Sequence, residues 1–269
     1  MPIAQVTAFK QLHESGCFVM PNPWDRGSAI LLETLGFKAI ASSSAGFAWA
    51  KGRPDNHVTL DQVLSHLTEI ASAVNVPVNA DFEGGFAVEP DGVATNVARA
   101  VTTGIAGLSI EDSTGKAAHP LFDFSLAVER IAAARVAIDR SKTEVVLTGR
   151  SEGFIVGRPD LKETIRRLQA YAEAGADCLF APGIKAKEDV AAIVKAIAPK
   201  PFNLVVSSNF ITVAEATQLG VRRISVGGAL AKSAWNGFAT AAQEIAREGT
   251  FSAFAAPAVL NLNEVFQTK

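Results

Sequence analysis

Eight times along this chain a short apolar run is followed, after a turn, by a longer stretch with helical spacing. The runs fall at 17–20, 38–41, 76–81, 106–110, 144–148, 177–180, 202–206 and 222–226. They recur at roughly the 30-residue spacing of a strand–helix unit. They are mostly continuous in apolar character, as strands covered on both faces must be, rather than alternating. Helical patterns separate them near 26–35, 59–74, 91–103, 124–140, 158–174, 186–197, 212–219 and 229–247, and a further amphipathic stretch at 3–15 precedes the first run. Eight such units are what an α/β barrel of about 250 residues needs to close. An open doubly wound sheet is the competing architecture. It lacks its phosphate fingerprint here, because Pro21 and Pro23 stand after the first run where G-x-G-x-x-G belongs. The sequence therefore predicts a (β/α)8 TIM barrel over residues 1–250 with an N-terminal helix. Residues 251–269 form a C-terminal extension. Phe251, Phe254, Val259, Leu260, Leu262, Val265 and Phe266 give that extension an apolar surface, which predicts packing on a neighbouring subunit.

Composition narrows the class of function. The net charge of −2 carries no long run of either sign, which argues against nucleic acid and anionic membranes as partners. Cys17 and Cys178 are the only cysteines. Two are too few for a disulfide framework or a thiolate zinc site, and both read as buried free thiols. No apolar run approaches the ~20 residues of a membrane span, and no secretory leader is recognisable, so a cytoplasmic location is expected.

In such a barrel the chemistry belongs at the C-terminal ends of the strands. Those positions carry Trp24-Asp25, Ser42-Ser43-Ser44, Asp81 with Glu83, Glu111-Asp112, Arg150, Pro182-Gly183, Ser207-Ser208-Asn209 and Gly227-Gly228. An acidic turn such as Asn79-Ala80-Asp81-Phe82-Glu83-Gly84-Gly85 is ordinary by itself. Asp81, Glu111 and Arg150 at three consecutive strand ends are not explained by loop composition. Carboxylates at a glycine-rich strand end suit Mg²⁺, which takes oxygen ligands and keeps several waters. Asp81, Glu83 and Glu111 are thus the candidate metal residues, for Mg²⁺ or Mn²⁺ in its place. Arg150 presents a planar fork matched to a carboxylate or phosphate. The turn Ser42–Ala45 offers hydroxyl and N–H donors to a second oxyanion. Metal, arginine and N–H donors together stabilise an enolate, each donor contributing about 3 kcal/mol to a transition state.

At this point the chain resembles the isocitrate lyase and phosphoenolpyruvate mutase superfamily. The resemblance spans roughly Phe18 to Ala231. It rests on Ser42-Ser43-Ser44, Gly52-Arg53-Pro54-Asp55, Asn79-Ala80-Asp81, Ile110-Glu111-Asp112, Thr148-Gly149-Arg150 and the stretch from Gly220 to Gly227. The resemblance implies Mg²⁺-dependent chemistry on a 2-oxo acid or its enolate, with C–C or P–C bonds made or broken. It implies that Ser43 and Ser44 hold the pyruvate-like part; Trp24, Ser42 and Asn203 complete the candidate substrate-binding residues. Asp81 becomes the principal metal contact, Asp55 and Glu111 surround its water shell, and Arg150 grips the substrate carboxylate. It also implies a homo-tetramer whose last barrel helix is exchanged between subunits.

The chain departs from that pattern in three places. Asn79 replaces the first acid of the D-A-D metal motif. The K-[KR]-C-G-H loop of the true lyases is replaced by Gly115-Lys116-Ala117-Ala118-His119, without a cysteine. Pro182-Gly183 stands where the lyases place a glutamate. His119 and Lys116 then become the candidate proton donors, a histidine titrating near neutrality being suited to general acid catalysis. A solvated loop position is the plainer reading of His119. His13 and His66 are expected on helix surfaces, Lys185 in solvent, and Trp24 with Phe47 as pocket walls. The expected activity is C–C cleavage or decarboxylation of a small anionic, oxaloacetate-like carboxylate. P–C chemistry on a phosphonate, and a barrel that binds a 2-oxo acid without turnover, are the alternatives.

Overall fold

The computed structural model describes residues 3–255 and 260–267. The apolar runs become strands β1 Phe18–Met20, β2 Ile40–Ala41, β3 Val78–Asp81, β4 Gly107–Glu111, β5 Val146–Arg150, β6 Cys178–Phe180, β7 Phe202–Val205 and β8 Arg223–Ser225. The helices are α1 Ile3–Glu14, α2 Arg26–Thr34, α3 Ser44–Ala50, α4 Leu60–Ala73, α5 Pro90–Ala100, α6 Phe124–Ser141, α7 Leu161–Glu173, α8 Lys187–Ile197, α9 Val213–Gln218, α10 Ala229–Glu248 and α11 Leu262–Gln267. Every strand pair is parallel, in the order β1-β8-β7-β6-β5-β4-β3-β2. The remaining seam, between β1 and β2, is bridged just past β1, where the Ala41 N–H donates to the Pro21 carbonyl at 3.0 Å. The chain is a (β/α)8 TIM barrel.

Local chemistry sets the helix starts. Asp25, Thr59 and Thr212 each cap the helix that follows in a reciprocal box with Ser28, Gln62 and Glu215. The short helix α3 falls where the sequence reads as a loop. Ser43 caps it, its Oγ accepting from the Gly46 N–H at 3.1 Å, and Phe47 and Ala48 are buried beneath. Seven residues, about two turns, carry too little periodicity to announce themselves.

Helix α1 closes the N-terminal mouth of the barrel. The Phe9 ring reaches the position a Cβ on Gly107 would occupy, at 2.6 Å, as does Asn79 Oδ1, so only glycine fits there. His13 packs edge-on to Phe9 and Phe18, and His66 stacks on Phe47 at 3.9 Å between ring centroids. Both histidines are therefore inside rather than on helix surfaces. Burial lowers His13 to about 3 and His66 to about 4, so each is neutral at pH 7. Phe47 is core, not pocket wall. Of the two thiols, Cys178 is buried and Cys17 half-buried.

The barrel leaves the long helix α10 uncovered: only Ala231 on it is buried, while Trp235 and Phe238 are exposed to 44% and 66%. In the tail, α11 returns to α2, placing the Phe266 ring 3.6 Å from where a Cβ on Gly27 would lie, and Val265 packs on the core. Phe251 and Phe254 stay exposed, and Val259 lies outside the described residues. Among the described residues no helix is long and apolar enough to cross a membrane.

Candidate active site

A cavity of about 160 Å³ opens at the C-terminal ends of the strands. Ser42, Ser43, Ser44, Asp55, Asp81, Arg150 and Asn203 all line it. These seven side chains come from the β2–α3 junction, strands β3, β5 and β7, and the α3–α4 loop. The cavity is well below the ~300–1,000 Å³ of sites for drug-sized ligands, so it suits a molecule of a few carbon atoms.

Parallel register explains the convergence. Glu111 is the Cα partner of Arg150, and Asp81 that of Ser109. Arg150 Nη1 therefore reaches both Asp81 Oδ1 and Glu111 Oε2, each at 3.2 Å. Its Nε donates to Glu152 Oε1, and its guanidinium lies 5.1 Å from the centre of the Phe180 ring. Asp81 is further fixed from the second strand end: the Ser44 N–H donates to Oδ2 at 3.0 Å, and the Asp81 N–H donates to Ser42 Oγ at 2.9 Å. The Ser44 amide is thus spent on a carboxylate, not left open for an oxyanion. The Ser43 hydroxyl accepts from Gly46 N–H, which leaves its own proton for a ligand in the cavity.

Negative charge is crowded here. Burial first, then Asp81 and Asp55, push Glu83 up to about 8. Burial also raises Glu111, Glu152 and Asp55, with Arg150 as the opposing cation. Glu83 Oε1 is buried without a hydrogen-bond partner, and Glu83 sits at φ +47°. That orphaned oxygen and the surplus of carboxylate are what a hard divalent cation would relieve. Among the described residues no three His, Cys, Asp or Glu side chains close on one point. A closed protein cage is therefore absent, and the donor set fits Mg²⁺ held by one or two carboxylates with water completing the shell.

Other predicted residues stand elsewhere. Trp24 does not line the cavity; its Cβ lies against Gly46. His119 and Lys116 are exposed on the loop after β4. A bridge between Ser113 and Leu121 ties that loop into a hairpin, and His119 faces a separate cavity of about 820 Å³ together with Arg158 and Arg167. Neither residue lines the small cavity, because the hairpin's own hydrogen bonds, such as Thr114 N–H to Pro120 O at 3.0 Å, hold it away. His57 contacts Asp55 only through the backbone carbonyl, at 2.8 Å.

Three further residues serve the site without a role foreseen from the sequence: Asn22, Glu152 and Asp112, the last of them placed at the β4 end but assigned no task. Asn22 is buried, donates to the Ser42 carbonyl at 3.0 Å and accepts from the Val226 and Gly227 N–H groups at 2.9 Å each. Its place between two prolines at a strand end was the available signal. Asp112 takes Tyr171 O–H at 2.6 Å, Arg167 at 3.2 Å and the Glu152 N–H at 2.7 Å, and so anchors the loop that presents Glu152 to Arg150. Arg130 braces the β3 loop from behind, donating to the carbonyls of Gly84, Ala87 and Val88.

Barrel, strand-end carboxylates and arginine together define a TIM-barrel protein with a small, charged cavity at its mouth. A family model for phosphoenolpyruvate phosphomutase matches residues 9–246, and the chain belongs to the isocitrate lyase and phosphoenolpyruvate mutase superfamily. A crystal structure of a protein from Burkholderia cenocepacia J2315 is 43% identical, with a TM-score of 0.95 over 98% of this chain and 97% of that one. The oxaloacetate decarboxylase of Paraburkholderia xenovorans is 30% identical over 212 residues, 73% of this chain and 67% of its own. Oxaloacetate acetylhydrolase, solved with its product oxalate, is 27% identical with a TM-score of 0.88, over 99% of this chain and 96% of that one. Named members of the superfamily are lyases and mutases.

Proposed function

We propose that this chain is a divalent-metal-dependent carbon–carbon lyase acting on an oxaloacetate-like 2-oxo or 2-hydroxy dicarboxylate through a pyruvate-type enolate. The observation that carries this reading is the shared position of Arg150 Nη1 between Asp81 and Glu111, at the wall of a cavity sized for a few carbon atoms. A substrate carboxylate entering there meets a guanidinium held in place by Asp81, Glu111 and Glu152. The relatives that act on oxaloacetate or hold oxalate support the substrate class.

In this reading Asp81 would hold the metal, with Glu83 and Glu111 as its supporting carboxylates. The bound Mg²⁺ would supply positive charge to the 2-oxo oxygen as the enolate forms. Arg150 orients the adjacent carboxylate, and the Ser43 hydroxyl donates to the other end of the substrate. The bond from C3 to the departing carbon breaks, its electron pair moves into the enolate, and a proton returns to C3 from water, since no cysteine or histidine lines the cavity. A reaction with a stable neutral leaving group, such as decarboxylation, needs least help with that step. P–C bond chemistry on a phosphonopyruvate is the second reading, favoured by the missing lyase cysteine.

The uncovered face of α10 supports an assembly in which that helix packs on a second copy of the chain, as a homo-tetramer with exchanged helices.

Calorimetric titration with oxalate, which mimics the pyruvate enolate, tests the reading. Binding that tightens with Mg²⁺ supports it, and release of CO₂ from oxaloacetate names the reaction. Oxalate binding without turnover of any 2-oxo acid or phosphonate marks a binding barrel. Absence of oxalate binding with and without Mg²⁺ overturns the site.

A further inference from the structure

Arg223 opens β8 and is 1% exposed, one of the largest fully buried side chains of the barrel. It lies beneath the cavity and forms part of its floor. Its three contacts are all neutral. Nε donates to Asn203 Oδ1 at 2.8 Å, Nη2 to Thr148 Oγ1 at 3.0 Å, and Nη1 meets His13 Nε2 at 3.2 Å. The His13 contact must be a donation from Arg223. His13 Nδ1 lies 2.7 Å from the Phe9 carbonyl, which can only accept, so the ring proton is on Nδ1 and Nε2 is the lone-pair nitrogen. Among the described residues no carboxylate stands within ion-pair distance of Arg223. The nearby Cys178 thiol is raised by burial and stays neutral. A guanidinium does not lose its proton in a protein, so a full positive charge sits uncompensated in the barrel.

Such a charge is expensive to bury, and three neutral acceptors offset only part of the lost hydration. The fold retains it directly under a small-anion cavity. It also decides the orientation of one cavity residue. Because Nε–H can only donate, Asn203 must turn its oxygen down to Arg223, and its amide nitrogen up, where Nδ2 lies 3.0 Å from Ser225 Oγ. With one N–H given to Ser225, Asn203 keeps the other for the cavity, the polarity an anion needs.

We propose that Arg223 is a positioning residue of the anion site: from the barrel interior it fixes the Asn203 amide with its N–H groups towards the cavity and holds an uncompensated positive charge beneath the bound anion. The proposal rests on the anion-site reading above, and the controls separate the two.

The test is oxalate titration with Mg²⁺ present, together with thermal unfolding, for wild type, Arg223→Gln, Arg223→Lys and Asn203→Asp. Arg223→Gln removes the charge. It is expected to weaken oxalate about tenfold, the scale set by one fixed charge acting through protein interior. Arg223→Lys keeps the charge and is expected to retain most of the affinity. Asn203→Asp supplies the missing counter-ion to Arg223, so the protein should fold at least as stably as wild type while oxalate weakens at least as much as in Arg223→Gln. That variant keeps the proposal testable where Arg223→Gln fails to fold. A merely structural arginine gives lower melting temperatures with unchanged oxalate affinity, and that outcome overturns the proposal. Arg223→Lys weakened as far as Arg223→Gln also overturns it. Failure of wild type to bind oxalate refutes the anion-site reading instead.

Discussion

Replacing Arg150 by methionine removes the cation that, among the described residues, bridges Asp81, Glu111 and Glu152. The side chains of these four residues are 17%, 18%, 9% and 4% exposed, so little water replaces the lost partner. Breaking a buried ion pair from one side leaves an uncompensated charge and costs about 3–5 kcal/mol. The upper end is expected here, since one substitution orphans three carboxylates. The loss must also depend on pH. Burial already holds Glu111 and Glu152 above the usual carboxylate range, and without Arg150 they rise further. Groups with raised folded pKa values keep protons that the unfolded chain has released, so stability falls as pH rises from the unfolded carboxylate range to the raised values. Arg150→Met should therefore be most destabilised at pH 7 to 8 and recover towards wild type near pH 5. Urea unfolding at those two pH values, followed by tryptophan fluorescence, measures both effects. A loss under about 1 kcal/mol at pH 7, or one independent of pH, refutes the reasoning that Arg150 neutralises this cluster.

Other perturbations follow from the same geometry. Mg²⁺ affinity should rise with pH up to about 8 and level off above it, as Glu83 loses its proton, and Glu83→Gln should flatten that profile; calorimetry across pH decides it. Ser43→Ala removes the cap of α3 and should cost about 1 kcal/mol in urea unfolding while weakening oxalate, whereas unchanged oxalate affinity would remove Ser43 from the site. His119→Ala should leave oxalate affinity as in wild type, because the loop holds His119 at a separate cavity; a clear loss would show that the loop closes over the anion. Phe238→Asp on the bare face of α10 should dissociate the assembly in size-exclusion chromatography with light scattering, and an unchanged mass would place the subunit interface elsewhere.

Much of this protein is written in its local pattern. A parallel barrel puts each strand's last residues at one mouth, so reading Asp81, Glu111 and Arg150 as strand ends already places them side by side. The apolar runs gave that, and register turned it into shared contacts at Arg150. Caps at Asp25, Thr59 and Thr212 were equally local, because each cap is a contact three residues long. Other features depend on which distant side chains meet. His66 and His13 look like surface positions on amphipathic helices until Phe47, Phe9 and Phe18 close around them. His119 looks adjacent to the site in sequence, yet a hairpin's internal hydrogen bonds aim it elsewhere. Arg223 reads as the second of two basic residues that open an apolar run. Only the register of β8 with β7, and α1 across the bottom of the barrel, shows that its partners are Asn203 and a neutral histidine rather than a carboxylate. The sequence by itself determined the repeat, the closure and the list of groups at the mouth, because those follow from short-range periodicity. Tertiary structure alone decided burial, loop direction and the balance of charge, because each depends on residues far apart in the chain sharing one layer of the barrel.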